Sequence, residues 1–215
     1  MLKLIKKEFA LALHPTAIIF LFFSSFVFIP NYPYEMMFFF AGLSAFFICL
    51  SARENNDLFF TCSLPIKKGD AAKARIMTIA IFQIALLILA AILTAIKSAV
   101  LPEANAAGLD ANAAFVGMGS IILGIFNIIF FPMHYKNPNK VGMPFLIASI
   151  VIFLIIIMEI VFCYAVPFVR GYIDTYNPDY IWYRFAVLGV GIITYFALTA
   201  AACKLSAKRL QAVDL

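Results

Sequence analysis

Six stretches of this chain carry no charged residue and approach or exceed the length needed to cross a bilayer: residues 16–34, 36–52, 76–96, 111–133, 141–158 and 185–203. A helix needs about 20 apolar residues to traverse roughly 30 Å of hydrocarbon. Runs of this kind, repeated along 215 residues, leave little choice of fold. The chain is 65% hydrophobic and only 13% charged, where soluble domains carry about 25% charged residues. The expectation is an all-α integral membrane protein with six transmembrane helices, forming a single transmembrane domain over residues 1–215. The first span is the shortest, because Pro15 and Pro30 bracket only fourteen residues. It must tilt little, extend through Pro15 or sit in thinned bilayer.

The net charge of +5 gains meaning from its distribution. With six spans and the N-terminus in the cytoplasm, Lys3, Lys6, Lys7, Arg53, Lys67, Lys68, Lys73, Arg75, Lys136, Lys140, Lys204, Lys208 and Arg209 lie on the cytoplasmic side. Only Lys97, Arg170 and Arg184 lie opposite. This is the positive-inside pattern; it accounts for the basic character without a nucleic-acid partner and places both termini inside. The first apolar run ends in Pro30-Asn31-Tyr32-Pro33 rather than a small-residue cleavage site, so no cleavable signal is expected. Cys49, Cys62, Cys163 and Cys203 avoid the short external loops, and no disulfide is expected.

Between the spans the segments differ in character. Residues 1–14 place Leu2, Ile5, Phe9 and Leu13 at helical spacing with lysines on other faces, which describes an amphipathic elbow helix lying on membrane lipid; a plain cytoplasmic extension of the first span is the alternative. Residues 31–35, 97–110 and 167–184 are external, the last rich in tyrosine and suited to the bilayer surface. His134 to Lys140 forms an internal turn, and residues 204–215 extend the last helix as a basic cytoplasmic tail.

Uncharged polar groups within the runs include Ser24, Ser25, Ser44, Gln83, Asn127, Ser149 and Thr194. Glu159, between the fifth run and the uncharged residues 160–169, is the single carboxylate well inside an apolar stretch. A charge in hydrocarbon costs at least about 2.5 kcal/mol on insertion scales, so such a residue turns toward protein or water. Glu159, with Asn127 and Gln83, marks a possible translocation path. Equally, Glu159 stands close enough to Pro167 to snorkel outward or pair with Arg170 or Arg184. Gly117, Gly119, Ser120 and Gly124, with Gly189 and Gly191, permit close helix packing within one chain or between two.

Several chemistries lack their residues. There is no glycine-rich phosphate loop ending in Gly-Lys-Ser or Gly-Lys-Thr, no HExxH, and no Gly-x-Ser-x-Gly elbow. His14 and His134 stand apart without ligands at metal spacing. No catalytic residue, cofactor or metal is assigned to this chain, which is not expected to be an enzyme by itself.

Residues 54–75, ENNDLFFTCSLPIKKGDAAKAR, are the longest polar interruption in the first half of the chain. Asn55 or Asn56 caps a short helix, Asp57 suits its first turn, and Pro65 ends it near Leu64. Phe60 and Leu64 share a face, with Asp57 and Thr61 beside them and Phe59 adjacent. Gly69 then breaks the chain and Asp70 caps the next helix, whose Lys73 and Arg75 mark the membrane boundary. The amide and acidic cluster, the aromatic turn, Ser63-Leu64-Pro65-Ile66, the pair Lys67-Lys68 and the following cap together resemble the cytoplasmic loop of ABC-2 type transporter permeases. In that family a basic residue follows in the helix, a place that Lys73 or Arg75 matches. The layout of the whole chain is similar too, most of all to the short permeases of bacterial peptide exporters such as the phenol-soluble modulin exporter.

That resemblance implies a cytoplasmic coupling helix between spans two and three, seated in a cleft of a separate ATP-binding cassette ATPase subunit. Leu58, Phe59, Phe60 and Leu64 would anchor it, with Asp57, Lys67 and Lys68 as rim charges, and ATP and Mg would reside on the partner. It further implies a second permease copy, identical or related, and a bacterial plasma-membrane location. The aromatic first two spans favour an amphipathic or hydrophobic solute, a peptide by resemblance, moved outward. Two other classes remain: a stand-alone membrane enzyme or channel built on Glu159 and Asn127, and an assembly or immunity factor with no transport cycle.

Overall fold

The structure, a computed structural model, describes residues 1–12, 15–101 and 103–213. Leu13 and His14 of the expected elbow and the last two residues of the basic tail lie outside the described residues. The fold is all helical among the described residues: α1 (Leu2–Lys7), α2 (Pro15–Leu21), α3 (Met36–Glu54), α4 (Asp57–Ser63), α5 (Lys68–Val100), α6 (Ala113–Lys136), α7 (Gly142–Ala165) and α8 (Ile181–Gln211). Wider π turns extend α1 over Glu8–Ala12 and follow α7 at Val169–Ile173. Five helices, α3 and α5 to α8, are long and apolar enough to cross a membrane. The chain is therefore a multi-pass membrane protein.

The sixth expected span is a bent pair. Leu2–Ala10 and Pro15–Phe28 stand at 90° to each other, and counted together they bring the possible spans to six. After Leu21 the second arm tightens into a 3-10 helix over Phe22–Phe28. Its sequence explains the change, because Ser24 and Ser25 each donate their hydroxyl to the carbonyl three residues back, at 2.7 Å, and compete with the α-helical pattern.

The other helices outrun the apolar stretches that predict them. At about 1.5 Å per residue, α5 is roughly 50 Å long, because its charged first turns, Lys68 to Arg75, are helical as well. Likewise α8 continues through Lys204 to Gln211, as the sequence predicts for the tail. The ends of these two helices meet: Lys68 donates to the carbonyl of Val213 at 3.0 Å, and Gly69 lies against Ala207 and Gln211. We call this end, which also carries α1 and α4, the terminal end, and the opposite one the far end.

At the centre stands α6, 72% buried across its apolar window where that of α8 is 22% buried. Asn112 starts it, accepting from the backbone N–H groups of Ala114 and Phe115 at 2.8 and 3.3 Å. Phe115, Phe126, Phe130, Phe131 and Tyr135 fill the core around it. Its glycines choose between the packing modes left open by the sequence. A Cβ on Gly191 of α8 would sit 2.2 Å from the Gly117 carbonyl oxygen, and one on Gly117 would sit 2.6 Å from that of Val187. The two backbones touch there. Gly119 instead admits the Phe38 ring of α3, whose Cζ lies 2.0 Å from its would-be Cβ. The small-residue face thus serves packing within one chain.

Gly189, two residues away, meets nothing within 4 Å. Gly191→Ala is therefore expected to lower thermal stability in detergent by roughly 1–3 kcal/mol through overpacking. Gly189→Ala should leave it unchanged or raise it slightly, and melting curves of the two variants check the contrast.

Candidate functional site

The polar loop folds as a short helix with two dissimilar faces. Asn56 takes the left-handed conformation (φ 49°, ψ 28°) that lets the chain turn after α3, one that asparagine tolerates better than most residues. Asp57 opens α4, where a carboxylate favours the helix N-terminus. Leu64 is extended (φ −75°, ψ 156°) because Pro65 follows it. The onset of α5 differs from the expectation: the helix begins at Lys68, not after a break at Gly69. Gly69 lies in the first turn, where a Cβ would sit 2.9 Å from the Gln211 amide nitrogen. Asp70 pairs with Lys73 at 3.3 Å and caps nothing.

The outer face of α4 carries Phe59 and Phe60, 60% and 59% exposed, with Leu64 beyond them. Leu58 packs partly against the core. The inner face carries Asp57 and Thr61, and here the structure brings together four charges from three segments. Arg75 of α5 holds Glu8 through two bonds, Nε to Oε2 at 2.8 Å and Nη2 to Oε1 at 3.2 Å. The same Nη2 contacts Asp57. Lys7 reaches Asp57 at 2.5 Å, Glu8 at 3.1 Å and the Thr61 hydroxyl at 2.7 Å. The side chains of Glu8 and Arg75 are 3% and 4% exposed. Two cations and two anions cancel, so every charge buried here has a partner.

This arrangement redistributes the residues read from the sequence. Asp57 points inward as an anchor of α4 and not to its rim, and Arg75 is buried instead of marking the membrane boundary. Lys68 is engaged with Val213, while Lys67 is exposed. Lys7 and Glu8 were missed as site residues; the one signal was a lone acid in an otherwise basic N-terminus. The turn after α6, expected over His134 to Lys140, was not read as part of the site. Lys136, Asn137, Pro138 and Asn139, with Asn56, Phe59 and Val213, line a groove of about 510 Å³ beside α4. Arg53 secures that turn through the Asn139 carbonyl at 3.4 Å.

The polar residues of the spans divide into two separate groups. Gln83 and Asn127 form a reciprocal pair at 2.8 Å in each direction, and Asn127 also donates to Thr199 at 2.9 Å. Tyr195 donates to Gln83 at 3.0 Å. Joining α5, α6 and α8, this buried set is satisfied internally and so acts as a clasp. Glu159 lies elsewhere, beside Glu35 at the start of α3. It is 5% exposed, so it does not snorkel, and it forms no ion pair with Arg170 or Arg184 among the described residues; Arg184 donates to the carbonyls of Thr175 and Asn177. The two buried carboxyls lie side by side, and the backbone N–H of Leu109 is directed at that of Glu35.

Above that pair the far-end loops tie together. Asn105 donates to the Tyr32 carbonyl at 3.1 Å, Asp110 N–H to Asp174 at 2.7 Å, and Asn112 to the Ile173 carbonyl at 2.9 Å. Burial, reinforced by the negative charge of Asp110, pushes the Asp174 carboxyl up to about 6. Several phenylalanines of the first two spans pack within the fold: Phe23 meets Phe40 at 4.7 Å, and Phe39 and Phe46 meet Phe153 and Phe145 of α7 at 4.9 and 4.6 Å, while Phe22 is exposed.

Compared with known proteins, residues 3–205 match the family model described as ABC-2 family transporter protein. Searches of curated proteins and of solved structures return no match.

Removing Arg75 leaves Glu8 and Asp57 buried with Lys7 alone to offset two carboxylates. Arg75→Met is expected to cost about 3–5 kcal/mol and to release α4, measured as a lower melting temperature and faster proteolysis within residues 54–67. At the far end, a carboxyl raised above its ordinary value of 3.8 stabilises the fold when protonated. That contribution is present below 3.8 and lost as pH rises through about 6. Hydrogen exchange in residues 103–112 should therefore slow, after correction for intrinsic rates, between pH 7.5 and 5, and Asp174→Asn should flatten the dependence.

Proposed function

Since the chain belongs to the ABC-2 transporter family, we propose that it is the membrane permease of an ATP-driven exporter, with α4 as its coupling helix. The observation that carries this reading is the division of α4. Two phenylalanines face outward on a helix whose inner face is ion-paired to both the N-terminal segment and α5. Amphipathic segments with such anchors dock into grooves on soluble partners. Here the partner is a separate ATP-binding cassette ATPase, which holds ATP and Mg and supplies the hydrolysis; this chain contributes no catalytic residue. Phe59, Phe60 and Leu64 are the anchors, Lys67 a rim charge, and the groove by the 136–139 turn an extension of the docking surface.

A second permease copy, identical or related, completes the transporter. Met143, Leu146, Ile150, Leu154, Ile157 and Val161 form a continuous exposed stripe along α7, wide enough to meet a second copy. Because the Gln83–Asn127 clasp is closed within the single chain, the path is formed between copies, with Glu35 and Glu159 near its far end. The solute is amphipathic or hydrophobic, a peptide by the likeness of the chain to short peptide exporters. It moves outward across a bacterial plasma membrane, with both termini, α1 as elbow and α4 on the cytoplasmic side.

Phe59→Glu combined with Phe60→Glu is expected to leave the fold intact, since both rings are exposed, yet to abolish co-purification of the ATPase in mild detergent. Undiminished co-purification by the well-folded double variant would overturn the coupling assignment. Glu159→Gln, which can still donate to Glu35, should preserve folding; altered export then places the pair on the path, and unaltered export confines it to a structural role.

A further inference from the structure

A groove runs along the outside of the bundle between α5 and α8, floored by α6. It consists of two adjoining cavities of about 320 and 250 Å³, which share Ala91, Val116 and Leu188 in their linings. The deeper one is apolar, walled by Ile84, Leu87, Ile88, Ile192 and Phe196. Ile88 and Phe196 are exposed on the outer surface, so the groove opens sideways toward lipid. From Arg184 to Phe196 it follows α8 for about 18 Å, slightly more than one leaflet of a hydrocarbon core roughly 30 Å thick.

The far-end cavity differs. Thr94, Tyr176 and Arg184 line it; the Thr94 hydroxyl and Arg184 Nε are buried there without hydrogen-bond partners, and the Tyr176 hydroxyl accepts from the Ala111 backbone N–H while its own O–H has no acceptor. Thr94 and Arg184 are themselves more than nine-tenths buried. The remaining guanidinium nitrogens of Arg184 donate to neutral carbonyls, those of Thr175 and Asn177, at 2.9 and 2.8 Å. Asp110 and Asp174, which act electrostatically on Tyr176, accept from the backbone N–H groups of Asn105 and Asp110 and form no ion pair with Arg184 among the described residues. A buried cation with an idle donor, flanked by two hydroxyls that have no acceptor at the mouth of an apolar channel, calls for an acceptor that is anionic at one end and apolar at the other.

We propose that this groove is a binding site for an anionic phospholipid of the surrounding bilayer. One acyl chain lies between α5 and α8 down to Phe196. The phosphate accepts from Arg184 Nε, the Tyr176 hydroxyl and the Thr94 hydroxyl. The site lies away from α4 and from the α7 stripe, so it stands whether or not the chain couples to an ATPase.

The test is native mass spectrometry of the purified protein titrated with phosphatidylglycerol and with phosphatidylcholine of the same acyl chains. Phosphatidylglycerol should be retained more strongly by about tenfold, because the choline cation of phosphatidylcholine offsets the phosphate charge beside Arg184. Arg184→Gln should erase that preference. Ala91→Trp, which fills the groove where its two cavities join and removes no hydrogen bond, should abolish retention of both lipids and keeps the test open should Arg184→Gln fail to fold. Ile193→Trp, on an exposed position outside the groove, should retain lipid as the wild type does. Equal retention of the two lipids by the wild type, or undiminished phosphatidylglycerol on the Ala91→Trp protein, would overturn the site.

Discussion

The ion cluster of Lys7, Glu8, Asp57 and Arg75 decides how the terminal end is built. Burying a single charge costs several kcal/mol, which attraction offsets only when geometry and hydrogen bonding are close to complete. Here the bidentate Arg75–Glu8 contact and the shared Asp57 supply that completeness. The result is that three segments, the N-terminal helix, α4 and the start of α5, are fixed as one unit. Apolar packing alone would leave α4 free to slide, since its largest side chains face outward.

The same economy governs the membrane interior. Apolar side chains gain little by leaving lipid for protein, so helices there are held by close packing and by polar contacts. The Gly117–Gly191 crossing brings the α6 and α8 backbones together, and roughly two to three turns further along the Asn127–Thr199 bond joins the same two helices. Gln83 adds α5 to the pair. Bulky phenylalanines occupy the remaining volume where Gly119 makes room for Phe38. Small residues, an amide clasp and large rings thus complement each other along one helix, which is why α6 is the most enclosed.

Much of this was legible in the sequence. Long uncharged runs identify α3 and α5 to α8, since hydrocarbon imposes the same length on each, and the Asn-Asn and Leu-Pro signals bracket α4 correctly because both act through neighbouring backbone geometry. Partnerships were not legible. Arg75 meets Glu8 across 67 residues and Gln83 meets Asn127 across 44, and no local rule relates positions that far apart. Glu35 illustrates the difficulty: in sequence it sits at the edge of a tyrosine-rich turn, with every appearance of an interfacial residue, yet the loops 103–112 and 173–177 close over it. The onset of α5 went astray for a related reason, since Gly69 is in place for the approach of α8, not for a change of backbone direction.

The two ends of the molecule therefore differ in how they respond to force. At the terminal end α4 is clamped by opposite charges, whose attraction persists over small displacements and is strongest in a poorly solvated site. Asp57 and Arg75 thereby tie α4 directly to α5. At the far end the closure rests on hydrogen bonds between loops, and such contacts are short-ranged. Between the two ends α5 runs for roughly 50 Å, and at mid-height the amide clasp ties it to α6 and α8.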